Sequence, residues 1–201
     1  KYAEAYNNLA TIIKDQGDVN QAIQYFNKAL ILNPSYSEAH YNLALAFSEL
    51  NEFDSATQSY KKALTLKPNY PEAYNSLATI ISQQGKTDEA INLFNKAILL
   101  KPDYSEAYHN IGIIFKKKNR LNEALESYQK AINFKPDYVE SLYNIAIIYH
   151  EQGKLNEAIN YCDKALLKRP DYDKAQAQKL YQKAQTCDWE TAQKDKELYS
   201  T

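Results

Sequence analysis

Prolines stand at positions 34, 68, 102, 136 and 170, and a tyrosine follows each two residues later, at 36, 70, 104, 138 and 172. A 34-residue period kept through five copies constrains the fold more than any other feature of the chain. A unit of that length is one supersecondary element that cannot bury its apolar face alone and must stack on its neighbours. Alanine recurs in the same register at 22, 56, 90, 124 and 158 and again at 29, 63, 97, 131 and 165, while glutamate recurs at 4, 38, 72, 106 and 140. Pro71 stands outside the series.

Each period reads as two amphipathic helices. In the third copy the spacing predicts helices over 72–84 and 87–101, because Tyr74, Leu77, Ala78 and Ile81 fall at i, i+3, i+4 and i+7 and so share one face. Gly17, Asn51, Gly85, Asn119 and Gly153 stand between the helices, and these residue types tolerate the left-handed backbone that closes a helix C-terminus. The second helix stops before each proline, which lacks an N–H and disfavours helix at the residue before it. Ser35, Asn69, Asp103 and Asp137 each precede a glutamate by three residues and are read as side-chain caps of the next helix; Asp171, followed by Lys174, breaks that pattern. The alanines at 22, 56, 90, 124 and 158, facing Ala10, Ala44, Ala78, Gly112 and Ala146, let paired helices approach closely. Phe26, Tyr60, Phe94 and Tyr128 fill the space between repeats, and the smaller Cys162 predicts a looser fifth interface.

These positions resemble the tetratricopeptide repeat family, with the family's frequent tryptophan replaced by Tyr6, His40, Tyr74, Tyr108 and Leu142. The resemblance implies an all-α, right-handed superhelical solenoid of helix-turn-helix repeats, the first helix of each pair lining a concave channel. The repeats are expected over 3–36, 37–70, 71–104, 105–138 and 139–172, with residues 1–2 as the end of a preceding repeat and 173–201 as C-terminal capping helices. Lys1-Tyr2 lies in the register of Ser35-Tyr36, so the first repeat is expected to offer an exposed face open to self-association. A last helix is expected to start at Asp188 and carry Trp189, Ala192 and Leu198.

An apolar share of 44% is enough for a sizeable core, and a net charge of −1 gives no field that draws in nucleic acid or an anionic membrane. The longest apolar runs, such as 145–149, are far too short to span a bilayer. Cys162 and Cys187 form no disulfide framework and match no metal-ligand spacing, which fits a reducing, cytoplasmic setting, nucleocytoplasmic in a eukaryote. No catalytic constellation, cofactor motif or metal site is read: His40, His109 and His150 have no ligand partner at the right spacing, and the basic turn 116–120 has no glycine-rich loop beside it.

The candidate binding residues lie on the first helices. Asn8, Asn42, Ser76, Asn110 and Asn144 each precede a core Leu or Ile. An amide offers a donor and an acceptor side by side, so it can bond a peptide unit whatever side chain that unit bears. Helix layers about 10 Å apart and a peptide advancing about 3.3 Å per residue would let one rung serve every third residue. Asn7, Tyr41, Asn75, His109 and Tyr143 are expected beside them on the concave side, where they could grip side chains. The repeated glutamates oppose an anionic tail, which argues against a clamp for a C-terminal carboxylate. The asparagine ladder, together with Cys187-Asp188-Trp189 beyond the last repeat, is similar to the repeat region and junction of O-linked N-acetylglucosamine transferases. That likeness implies substrate or partner recognition for an attached glycosyltransferase; the alternative is a stand-alone scaffold. Both readings take proteins or extended peptides as partners.

Overall fold

The computed structural model describes residues 2–185, which form eleven α-helices and no strand. The chain divides into two compact units, Lys1–Pro102 and Asp103–Thr201. The first holds α1 (Tyr2–Asp15), α2 (Val19–Leu32), α3 (Ser37–Glu49), α4 (Phe53–Leu66), α5 (Pro71–Gln83) and α6 (Thr87–Leu100). The second holds α7 (Ser105–Lys117), α8 (Leu121–Phe134), α9 (Val139–Glu151), α10 (Leu155–Lys168) and α11 (Asp173–Gln185). Within each unit a helix packs on its hairpin partner and the second helix of one hairpin packs on the first helix of the next, the arrangement of an all-α helical-repeat solenoid. The last expected helix, with Asp188, Trp189, Ala192 and Leu198, and the Cys187-Asp188-Trp189 junction lie outside the described residues.

Five turns close the hairpins with one backbone geometry. Gly17, Asn51, Gly85, Asn119 and Gly153 all have positive φ, from 57° to 93°. In each, the left-handed residue donates its N–H back three residues and the next residue donates back five, as Asn51 N to Ser48 O at 3.0 Å and Glu52 N to Phe47 O at 2.9 Å. This is the Schellman pattern, and it satisfies carbonyls that the helix end would leave bare.

The helix starts differ from the expected side-chain caps. Tyr36, Tyr70, Tyr104 and Tyr138 occupy the N-cap positions and make no side-chain cap hydrogen bond, so Ser35, Asn69, Asp103 and Asp137 stand one residue too early to act. The turn's own carbonyls take the role: Ser105 N donates to Asp103 O and Val139 N to Asp137 O, each at 2.8 Å. Only α2 among the described helices has a capping side chain, Asp18, which accepts from Gln21 N at 2.9 Å. Pro71 opens α5, where its missing N–H costs nothing.

The core is a repeated contact of small and large residues. Ala22, Ala56, Ala90, Ala124 and Ala158 are fully buried, as are the small residues facing them, and Phe26, Tyr60, Phe94 and Tyr128 are each at most 1% exposed. The fifth interface is closed rather than loose. Cys162 and Gln182 of α11 are both fully buried, with Cys162 Sγ 3.8 Å from Gln182 Oε1, so the glutamine fills the space an aromatic ring takes elsewhere. Lys179 stands where earlier repeats carry Leu or Ile; its stem is buried and its ammonium reaches Asp163 at 2.9 Å.

Gly112 takes the place that alanine holds in the other four repeats. A Cβ there would stand 2.6 Å from a ring carbon of Tyr128, and that ring is wholly enclosed. Helix propensity alone would favour Gly112→Ala by about 1 kcal/mol. The clash should win and leave a net loss of about 1–2 kcal/mol. Chemical denaturation should show the loss in the parent and its disappearance in a Tyr128→Leu background, where the ring is gone.

Candidate functional site

One residue separates the two candidate rows on each first helix, and 100° of helical rotation gives them different surroundings. The row at 8, 42, 76, 110 and 144 sits at the edge of the buried stripe, with Asn8 exposed and the other four half-buried. Asn42 Nδ2 donates to Asn7 Oδ1 at 3.0 Å, and Asn7 Nδ2 contacts Asn8 Oδ1 at 3.5 Å, so the first two rungs are tied across the boundary between consecutive repeats. That bond fixes Asn42 and still leaves its carbonyl oxygen and one N–H. Ser76 stands close to the Tyr60 hydroxyl. Asn110 is engaged by another group, whereas the Asn144 amide bonds no described residue.

The neighbouring row differs from the expected open one. Asn7, Asn75 and His109 are buried, and Tyr41 and Tyr143 are half-buried. Three of these side chains turn toward the tyrosine of their own repeat's proline turn. Tyr41 lies 4.8 Å from Tyr70, His109 stacks 4.7 Å from Tyr138, and Tyr143 meets Tyr172 edge-on at 5.6 Å. A basic residue covers the same tyrosines: Lys67 over Tyr70, Lys135 over Tyr138 and Arg169 over Tyr172, at 4.2 to 5.3 Å. Asn7 and His109 are therefore held inside, where the row braces the repeat boundary, while Asn75 borders a surface pocket.

His109 shows why the row is tuned to its setting. Its Nδ1 lies 2.7 Å from Ser141 Oγ, and Ser141 is fully buried. The equivalent positions 5, 39, 73 and 107 are all alanine. A serine appears only where the preceding repeat carries a histidine that needs a partner. That exchange was visible in the sequence as a break in an alanine series. Burial pushes the His109 pKa down to about 4, with Glu140 pulling weakly the other way.

A pocket absent from the sequence reading lies between α3, α4 and α5. It holds about 250 Å³ and is lined by Leu45, Ser48, Tyr60, Ser76, Thr79 and Gln83, among others. The Tyr60 hydroxyl at its floor lies 3.4 Å from Ser48 Oγ, and burial raises its pKa to about 12, so it stays neutral. The clue in the sequence was the change of residue type at this position, which is Ser at 48 and 82 but Lys at 14 and 116.

Two basic residues of the 116–120 turn are paired: Lys116 with Glu151 at 3.5 Å and Arg120 with Glu123. Among the described residues no group of three or more His, Cys, Asp or Glu side chains could hold a metal, and no helix is long and apolar enough to cross a membrane.

Comparison with protein families matches residues 1–185 to the tetratricopeptide repeat protein 21 C-terminal ARM domain. The chain belongs to that family. Solved structures share the tetratricopeptide-type fold. The crystal structure of MamA is 27% identical over 82% of this chain and 96% of that one, with a TM-score of 0.72. Pseudomonas aeruginosa pilF is 22% identical, covers 99% and 92% of the two chains and gives a TM-score of 0.86. YrrB, described as a TPR protein with an unusual peptide-binding site, is 22% identical over 85% and 88%, with a TM-score of 0.65. No curated protein sequence matches the chain.

His109 gives the family member a pH signature. Its folded pKa of about 4 lies below the ordinary imidazole value of 6.5. The unfolded chain therefore takes up the proton first as pH falls, so this contribution to stability is complete above about pH 6.5 and is lost between there and about pH 4. The loss should be about 1–3 kcal/mol. Urea unfolding at pH 7.5 and 4.5 should show a smaller pH difference in His109→Gln than in the parent; equal differences would contradict the buried neutral imidazole.

Proposed function

We propose that the chain is a protein-interaction module that holds extended polypeptides along the first helices of its repeats, mainly through their backbone. The observation that carries this reading is the Asn42–Asn7 hydrogen bond, which orients a half-buried amide and leaves an acceptor and a donor unspent. Asn144, with no described partner, offers a complete amide in the second unit. The fold is shared with a protein described as having a peptide-binding site, which adds support. No chemistry is assigned to the chain itself; it binds and does not turn over.

The finer reading is the recognition region of a protein glycosyltransferase resembling the O-linked N-acetylglucosamine transferases. Its support is the asparagine row and Cys187-Asp188-Trp189. Coding sequence beyond Thr201 that continues into two α/β lobes with a nucleotide-sugar site would uphold it, and a prompt stop codon would leave the stand-alone scaffold. A cytoplasmic setting belongs to the same proposal, in keeping with the buried free thiol of Cys162. So does self-association through the first repeat: Leu9 and Ile12 are 40% and 55% exposed, whereas their equivalents Leu43 and Ala46 are buried.

Each net hydrogen bond contributes about 0.5–1.5 kcal/mol, so one rung should change affinity about twofold to tenfold and the effects should accumulate. Replacing Asn42, Asn110 and Asn144 with alanine should weaken unrelated peptides by similar factors in calorimetric titration, with helical content unchanged. Asn42→Ala also strands the buried Asn7 oxygen, so Asn144→Ala is the cleaner single variant. Undiminished binding by the triple variant would make the row structural.

A further inference from the structure

The pocket between α3, α4 and α5 is rich in acceptors. Ser48 Oγ donates to Ala44 O at 2.7 Å, and Thr79 Oγ1 donates to Asn75 O at 3.0 Å. With the Ser48 proton committed, the Tyr60 hydroxyl 3.4 Å away donates to Ser48. The Ser48, Tyr60 and Thr79 protons are thus used, and these three hydroxyls keep lone pairs as acceptors. Ser48 and Asn51 come from the C-terminal end of α3, and Thr79 and Gln83 from that of α5. Helix C-termini carry partial negative charge and favour cations. Yet neither α3 nor α5 has a basic residue in its last turn, whereas α1 has Lys14, α7 has Lys116 and Lys117, and α9 has His150.

The second unit shows what such a place holds when it is filled from within. Lys116 stands at the position of Ser48 and Glu151 at that of Gln83, and the two pair at 3.5 Å. Ile147 replaces Thr79 and Tyr143 replaces Asn75, adding bulk. We infer that the α3–α5 pocket receives the side chain of a lysine or arginine from a bound peptide, supplying in trans the cation that Lys116 supplies in cis. A volume of about 250 Å³ accommodates such a side chain, with Leu45 and Ile80 against its methylenes and the hydroxyl lone pairs and Gln83 at its head. This assignment deepens the peptide-binding reading and rests on it.

Two titrations of the 201-residue chain separate them. Blocked nonapeptides of alternating Ala and Ser with a central Lys, Gln or norleucine are titrated calorimetrically, and n-butylammonium is compared with 1-butanol by the amide NMR shifts of Ser76, Thr79 and Gln83. The Lys peptide should bind about threefold to tenfold more tightly than the other two, as expected for a cation at helix C-termini, and butylammonium alone should saturate the pocket shifts. The preference should vanish in the Ser48→Lys, Gln83→Glu double variant, and independently in Thr79→Ile, with helical content kept. Equal affinity for all three peptides, or a preference that survives both variants, overturns the pocket assignment while the backbone reading stands. Butylammonium saturation without any peptide binding overturns the peptide reading and supports the pocket chemistry. Silence in both titrations overturns both.

Discussion

A small residue set against a large ring carries this structure. In all five repeats a fully buried alanine from the second helix lets its partner helix come close, and in four of them a buried aromatic ring stands one turn further on. Neither part works alone: the alanine buries little area, and the ring has no room without it. The register of the first helix follows from that contact, and with it the direction in which the asparagine row and its neighbour point. Where the pair changes, the surroundings change with it. Tyr128 takes a glycine opposite, and Cys162 takes a glutamine from α11.

Much of this was legible because the repeat tests every position five times. The helix pairs, the left-handed turn residues and the alanine contacts recur without exception, so spacing alone located them. The caps were misplaced because Ser35, Asn69, Asp103 and Asp137 are good capping residues in a plausible position, and the choice between them and the following tyrosine depends on turn geometry. The row at Asn7, Tyr41, Asn75, His109 and Tyr143 was harder still. Its residue types mix polar and aromatic groups that suit a surface as well as an interior, and only the stacking on the turn tyrosines decides the matter. The α3–α5 pocket depends on side chains from three helices, and no single window of sequence contains them.

The two rows divide the labour of the first helices. The first row joins three of the hairpins to their own closing turns, through Tyr41, His109 and Tyr143, and the half-buried row lies nearer the surface. The Asn42–Asn7 bond links the two, so the Asn42 amide is held by a buried group that serves the fold. A peptide bound there, as proposed, would meet an amide already deprived of part of its rotamer freedom, and less entropy would be lost on binding.

Helix starts without side-chain caps leave the side chains at 35, 69, 103 and 137 with no capping duty. These positions carry Ser, Asn, Asp and Asp. What ties one repeat to a particular neighbour lies elsewhere, in pairs such as Asn7 with Asn42 and His109 with Ser141. A copy duplicated or deleted as a whole unit would keep its helix start and would have to carry both members of such a pair.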